Sequence, residues 1–222
     1  MNASTDGFDL ALASVRRRHR LRQESLWLVS SDGTRRKAPY RAWCRTAISG
    51  DETMLSRCSG PTLDVGCGPG RLVAALTRRG IPALGIDISD ESLRHTRGRG
   101  ALALRRDVFS TLPGEGRWNT VLLADGNVGI GGDPVHLLRR CASLLGRGGQ
   151  VLVELAGPRQ DTWRGAARWE CRRSHSEWFP WAVLSVTDLA EVAALTGMTT
   201  HLTRASSKRW FASLQPQPDP VR

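Results

Sequence analysis

Several features that would take this chain out of the ordinary globular classes are missing. No apolar run approaches the ~20 residues a membrane-spanning helix needs; the longest aliphatic stretches, such as Val121-Leu122-Leu123-Ala124, are strand-sized. The N-terminus carries Asp6 and Asp9 and then Arg16-Arg17-Arg18, with no apolar core for a secretory leader, so a cytoplasmic address is expected and no membrane partner. The five cysteines, at 44, 58, 67, 141 and 171, form no C-x-x-C pair. Their odd count and wide spacing exclude a disulfide framework and a zinc site, leaving reduced thiols and no metal. Internal repeats are absent, and the only disorder-prone stretch is the proline-rich end, read as a flexible tail over 216–222.

Lysine is nearly absent too. Lys37 and Lys208 are the only two, so arginine carries almost all of the formal +11 charge. So lopsided a ratio is what GC-rich codon usage produces, and the charges are scattered rather than massed. Charge alone supports non-specific polyanion affinity without identifying a partner, and an RNA partner stays open on this ground. With 222 residues, 40% of them apolar, the chain suits one compact domain with a small appendage.

From about 61 to 215, short β-type runs alternate with helical ones. Strands are expected at 62–65, 83–86, 101–108, 120–124 and 151–155. Helices are expected at 71–79, at 90–97 behind Ser89 or Asp90 as cap, at 134–145 and at 187–195. Two closing strands, 199–203 and 209–214, would meet through Ser206-Ser207. Pro134 suits a first helical turn, and Gly80, Gly146 and Gly197 suit helix ends. The alternation implies a mostly parallel sheet with helices on both faces, assigned to residues 59–215.

Residues 1–58 stand outside this alternation. They are read as a cap, helical plus irregular, lying across one end of the sheet, with a flexible basic arm as the alternative. The segment 157–186 is longer than an ordinary connection. It holds Trp163, Trp169, Trp178 and Trp181 with His175, Glu177 and Phe179. Such a cluster suits either a lid over a small organic acceptor or a satellite core beneath the cap.

The most informative stretch is Leu63-Asp64-Val65-Gly66-Cys67-Gly68-Pro69-Gly70-Arg71. A buried strand ends in an acid, and three glycines at alternate positions then turn the chain into a helix. Open α/β sheets bind ligands at this carboxyl edge. Dinucleotide folds use G-x-G-x-x-G to seat a pyrophosphate. Here the run is one residue tighter, and the preceding acid would repel a phosphate but suits a cation.

In these residues the sequence resembles the class I S-adenosylmethionine-dependent methyltransferases, over about 61–213. The resemblance implies a Rossmann-like seven-stranded, mostly parallel sheet with helices on both faces and an antiparallel C-terminal hairpin. It implies S-adenosylmethionine as cofactor, with Asp64, Gly66, Cys67, Gly68 and Gly70 around its methionine and ribose parts. Asp87, from Gly85-Ile86-Asp87-Ile88-Ser89, would hold the ribose hydroxyls, and Ile88 would lie on the adenine face. Asp107 and the Val108 amide would reach the adenine amino group, and Ala124 and Asp125 would stand where cofactor and acceptor meet.

The loop from Asp125 to Pro134 has four glycines and reads as a mobile connection or a backbone wall around the ligand, with Asp125 or Asn127 supplying a polar contact. It lacks the N/D-P-P-Y/F pattern of nucleobase amino-methylating enzymes, and no Pro-Cys dipeptide supports a cysteine nucleophile. Methyl transfer needs alignment and water exclusion more than side-chain chemistry. A general base helps some acceptors, with Asp125 and His175 as the catalytic candidates and Glu177 and His136 behind them. Tyr40, Trp43, Asn127, Trp178 and Trp181 are the candidate acceptor residues. The expected function is methyl transfer to a small molecule; the alternatives are an RNA methyltransferase and a non-catalytic cofactor-binding module.

Overall fold

A computed structural model describes residues 8, 9, 12, 25–172, 174–205 and 208–217. In chain order the elements are β1 (Trp27–Ser30), β2 (Arg35–Lys37), α1 (Tyr40–Trp43), α2 (Asp51–Leu55), β3 (Thr62–Val65), α3 (Arg71–Arg78), β4 (Ala83–Asp87), α4 (Asp90–Gly98) and β5 (Ala103–Arg105). There follow β6 (Trp118–Leu123), α5 (Pro134–Leu144), β7 (Leu145–Leu155), β8 (Trp163–Cys171), β9 (Ser174–His175), β10 (Phe179–Val183), α6 (Leu189–Thr196), β11 (Met198–Arg204) and β12 (Trp210–Pro216).

Seven strands form one sheet in the order β11-β12-β7-β6-β3-β4-β5. β3 to β7 run parallel, and β11 and β12 close the sheet as an antiparallel pair. All four residues of β3 are buried, as a central strand covered on both faces requires. On one face α5 lays Leu137, Leu138, Cys141 and Leu144 against Val121, Leu123, Val151 and Val153. On the other, α3 turns Leu72, Ala75 and Leu76 toward Leu122, Leu152 and Phe211. Each such fully buried leucine contributes roughly 1.5–3 kcal/mol.

Local chemistry sets the helix starts. The Ser89 side chain, rather than Asp90, caps α4 by accepting the Ser92 amide at 2.9 Å. Asp133 caps α5 by accepting the amides of Val135 and His136, with Pro134 in the first turn.

Two strands differ from expectation. β5 covers only Ala103–Arg105 instead of 101–108, because the Asp107 carboxylate captures the Phe109 amide at 2.9 Å and bends the chain out of the sheet. β7 begins at Leu145, directly after α5, where a helix end and a glycine-rich turn were expected; a register shift opposite Trp118 and Thr120 absorbs the irregularity.

The larger departure lies outside the main sheet. The N-terminal segment is not merely helical plus irregular, and much of the 157–186 segment is strand. Together they build a second antiparallel sheet, β10-β8-β1-β2, with β9 on the side of β8. The turn at Ser31-Asp32-Gly33 joins β1 to β2, with the Asp32 carboxylate accepting the Thr34 amide. Most of residues 1–24 of the N-terminal segment, the Ser206-Ser207 turn and the end of the tail lie outside the described residues. Among the described residues, no helix is long and apolar enough to cross a membrane.

Candidate functional site

The parallel strands deliver four aspartates to one place. Asp64 sits near the end of β3, Asp87 at the end of β4, and Asp107 and Asp125 two residues past β5 and β6. All four line a single cavity of about 350 Å³ at the carboxyl edge of the sheet. Gly66, Cys67 and Gly68 form the turn beneath it; Ile88, Val108 and Ala124 add apolar wall.

Asp87 is tied to the turn. One carboxyl oxygen accepts the Gly68 amide at 2.8 Å and the other the Ser89 amide at 2.8 Å. Burial pushes its carboxyl up to about 6, partly offset by those amides. Asp64 is 2% exposed and accepts no hydrogen bond among the described residues. Burial pushes it up to about 8, with Arg71 pulling down and Asp125, Asp87 and Asp51 pushing up. The Cys67 thiol packs by Thr96 and Gly85, and burial raises its pKa well above the usual thiol value.

Gly66 has no alternative. Its φ is +68°, and a Cβ there would stand 2.7 Å from the Asn127 side-chain nitrogen. That nitrogen donates to the carbonyls of Val65 (2.9 Å) and Gly66 (2.8 Å), so Asn127 lines the cavity while holding the turn in place. Gly70 lies outside the cavity, as the residue before α3, packed against Thr96.

Asp125 is a non-glycine residue with φ +53°. Its amide donates to Glu154 at 2.7 Å, and its carboxylate accepts from Arg71 and, at 3.5 Å, from Arg209. Arg71 also pairs with Asp51, and Arg209 with Asp51 at 3.0 Å and with both Glu154 oxygens at 2.7 Å. Three acids and two arginines thus lock α2, α3, β6, β7 and β12 together behind the cavity. Burial, with Glu154 nearby, raises the Asp125 carboxyl above its ordinary range despite both guanidinium groups.

The second sheet supplies the opposite wall. Trp169, Phe179 and Trp181 line the cavity, with Trp43 and Phe8 beside them. The glycine loop is a short 3₁₀ turn, Asn127–Gly129, pressed onto β10: a Cβ on Gly129 would overlap the Ala182 carbonyl oxygen. The backbone-wall reading describes this loop; a mobile connection does not.

Not every expected residue reaches the cavity. His175 is exposed on β9, opposite Glu170. Trp178 is 46% exposed beneath the Arg168 guanidinium. Tyr40 is buried with Leu26 and Ala38 under the second sheet. Glu177 is exposed, and His136 stacks on Phe109 outside the cavity lining. Sequence reasoning did not single out Arg71, Arg209, Glu154 and Asp51; the only signal was an arginine directly after the third glycine.

Acids at the ends of three successive parallel strands around a glycine turn define an α/β fold that binds a nucleoside-bearing ligand. The methyltransferase domain family model matches residues 42–202, well over half of the chain, and the chain belongs to that family as an S-adenosylmethionine-dependent enzyme. Solved structures share the fold. An S-adenosylmethionine-dependent methyltransferase from Bacteroides fragilis, in complex with S-adenosyl-L-homocysteine, has a TM-score of 0.80 at 22% identity over 97% of each chain. The glycopeptide N-methyltransferase MtfA, complexed with S-adenosylmethionine, has a TM-score of 0.58 at 15% identity over 76% of this chain and 93% of its own. The CcbJ methyltransferase from Streptomyces caelestis has a TM-score of 0.58 at 16% identity over 81% and 95%. A search of curated proteins finds no match.

Proposed function

We propose that the enzyme methylates a small-molecule acceptor held between the carboxyl edge of the parallel sheet and the second sheet. The observation that carries this reading is the two-sided cavity: acids and a glycine turn on one wall, aromatic rings on the other. Relatives in fold include an enzyme described as a glycopeptide N-methyltransferase, which is consistent with a natural-product acceptor.

The residues present fit S-adenosylmethionine. Asp64 is a buried carboxyl without a hydrogen-bond donor among the described residues, and a cationic ligand would satisfy it. Asp87 keeps acceptor capacity for ribose hydroxyls beyond its two amide bonds. Ile88, 38% exposed on the cavity wall, offers an apolar face to a purine, and Asp107 stands beside it for the exocyclic amine. Bound there, the cofactor supplies a methyl group already activated on a sulfonium.

The chain's own work is then positional. Gly66 and Gly68 bring backbone close to the ligand, Asn127 fixes the turn, and the aromatic wall excludes water from the acceptor side. Asp125, held from three directions, presents a fixed carboxylate to that side. His175 takes no part, being on the outer surface.

Incubation with methyl-labelled cofactor tests the acceptor class, using a small-metabolite extract and total RNA in parallel. Label in the low-mass fraction is expected. Label found in RNA alone would overturn the small-molecule reading.

A further inference from the structure

The two walls of the cavity differ in chemistry, and the difference bears on the acceptor. On the second-sheet side the rings form a continuous series. Phe8 lies 6.2 Å from Trp43 and 5.4 Å from Trp169, Trp169 lies 6.3 Å from Phe179, and Phe179 meets Trp181 edge-on at 5.9 Å. Among the described residues, no lysine or histidine lines the cavity; its charged groups are four aspartates and two arginines. Arg71 is committed to Asp51 and Asp125, and Arg106 is exposed at the rim, donating to the Arg105 carbonyl at 2.8 Å. In a chain of formal charge +11, this interior has the opposite sign.

Ring faces attract cations, and more strongly as water is excluded. Carboxylates attract them as well. An anionic acceptor would meet the acids, and a neutral one could donate a hydrogen bond but would lack the charge attraction to both walls. Asp125 retains room for another donor: a carboxylate has about four acceptor positions, and the two guanidinium groups engage one on each oxygen.

We propose that the acceptor is a hydrophobic amine, taken up as its ammonium ion between the aromatic wall and Asp125. This rests on the methyl-transfer reading and deepens it. The step balances simply. The ammonium gives one proton to the Asp125 carboxylate, which frees the nitrogen lone pair. That pair forms the new N–C bond as the S–C bond of the cofactor breaks, its electrons staying on sulfur. The products are an N-methylammonium ion and the neutral thioether, and Asp125 returns its proton to solvent. An aliphatic alcohol, far less acidic than an ammonium ion, would need a stronger base than this wall provides, which is why the absence of a lining histidine matters.

The test compares three molecules that share one ring and differ in charge: phenethylamine, phenethyl alcohol and phenylacetate. Binding is measured at pH 7.5 to the enzyme saturated with S-adenosyl-L-homocysteine, and methylation by the mass gain after S-adenosylmethionine is supplied. The amine is expected to bind at least tenfold more tightly than the alcohol or the acid, and to gain one methyl mass. Trp181→Leu should weaken the amine about tenfold and the alcohol far less. Asp125→Asn is the second variant, expected to lower kcat more than it raises the amine KM. Equal or stronger binding of the acid or alcohol, or no binding of the amine while S-adenosyl-L-homocysteine still binds, overturns the proposal and leaves methyl transfer standing. Failure of S-adenosyl-L-homocysteine itself to bind would strike at the methyl-transfer reading instead.

Discussion

Asn127 and Gly66, far apart in sequence, are interlocked: the Asn127 amide nitrogen donates to the Gly66 carbonyl at 2.8 Å and occupies the space a Gly66 side chain would need. The loop after β6 therefore sets the shape of the turn after β3. Asn127→Ala removes two hydrogen bonds at once, costing about 1–3 kcal/mol. A melting temperature lower by several degrees and about tenfold weaker binding of S-adenosyl-L-homocysteine are expected. Thermal melting and titration check both; unchanged affinity would show that the turn holds its shape alone.

Asp64 makes cofactor affinity depend on pH. Its carboxyl is pushed up to about 8, chiefly by burial, whereas an unfolded aspartate titrates near ~3.9. The protonated form therefore stabilises the unliganded fold, a contribution full below about pH 4 and lost as pH rises through about 8. A bound cation reverses the preference, so binding at pH 7 should release a proton. Affinity for S-adenosylmethionine should rise by up to about tenfold per pH unit between pH 6 and 8. Titration heats at pH 7 should vary with the ionisation enthalpy of the buffer, and Asp64→Asn should abolish both effects. Buffer-independent heats in the unsubstituted enzyme would contradict this.

The pairing of Arg209 with Glu154 is partly buried, the side chains 15% and 14% exposed, and doubly hydrogen-bonded. Removing one partner leaves the other charged and incompletely compensated, at about 1–3 kcal/mol for a partly buried pair. Arg209→Met should accordingly destabilise strongly in urea unfolding, and Glu154→Gln less, because the amide still accepts from the Asp125 backbone. Equal losses for the two would mean that the charge on Glu154, not its position, is what matters.

Gly129→Ala forces a side chain into the Ala182 carbonyl and pushes the glycine loop off β10. The outcome expected is a looser acceptor wall: tryptophan fluorescence shifted to the red, with affinity for S-adenosyl-L-homocysteine little changed. An unshifted spectrum would show that the two sheets do not depend on this contact.

Much of the main sheet is legible in the sequence because its signals are local. Thr62-Leu63-Asp64-Val65 is a continuous buried run, and the acid-and-glycine spacing that follows marks the carboxyl edge. The second sheet is not legible. β8 reads Trp-Arg-Gly-Ala-Ala-Arg-Trp-Glu-Cys, with little β-branched character, and it pairs with β1 across more than a hundred residues. The aromatic wall shows in the sequence only as a tryptophan-rich composition: Trp178 and Trp181 are equally conspicuous and both are expected at the acceptor, yet Trp181 lines the cavity while Trp178 faces solvent. The charge network escaped for a related reason. Asp51, Arg71, Glu154 and Arg209 come from four separate segments, and nothing near any of them announces a buried partner.

Calorimetric titration with S-adenosyl-L-homocysteine, comparing the unsubstituted enzyme with Asp87→Ala, tests the central claim most directly. Asp87 joins the glycine turn to the end of β4 and faces the cavity with acceptor capacity to spare. Micromolar-range binding by the unsubstituted enzyme and its loss in the folded variant are the predicted result. Undiminished binding by Asp87→Ala, or no heat from either protein, would contradict the account.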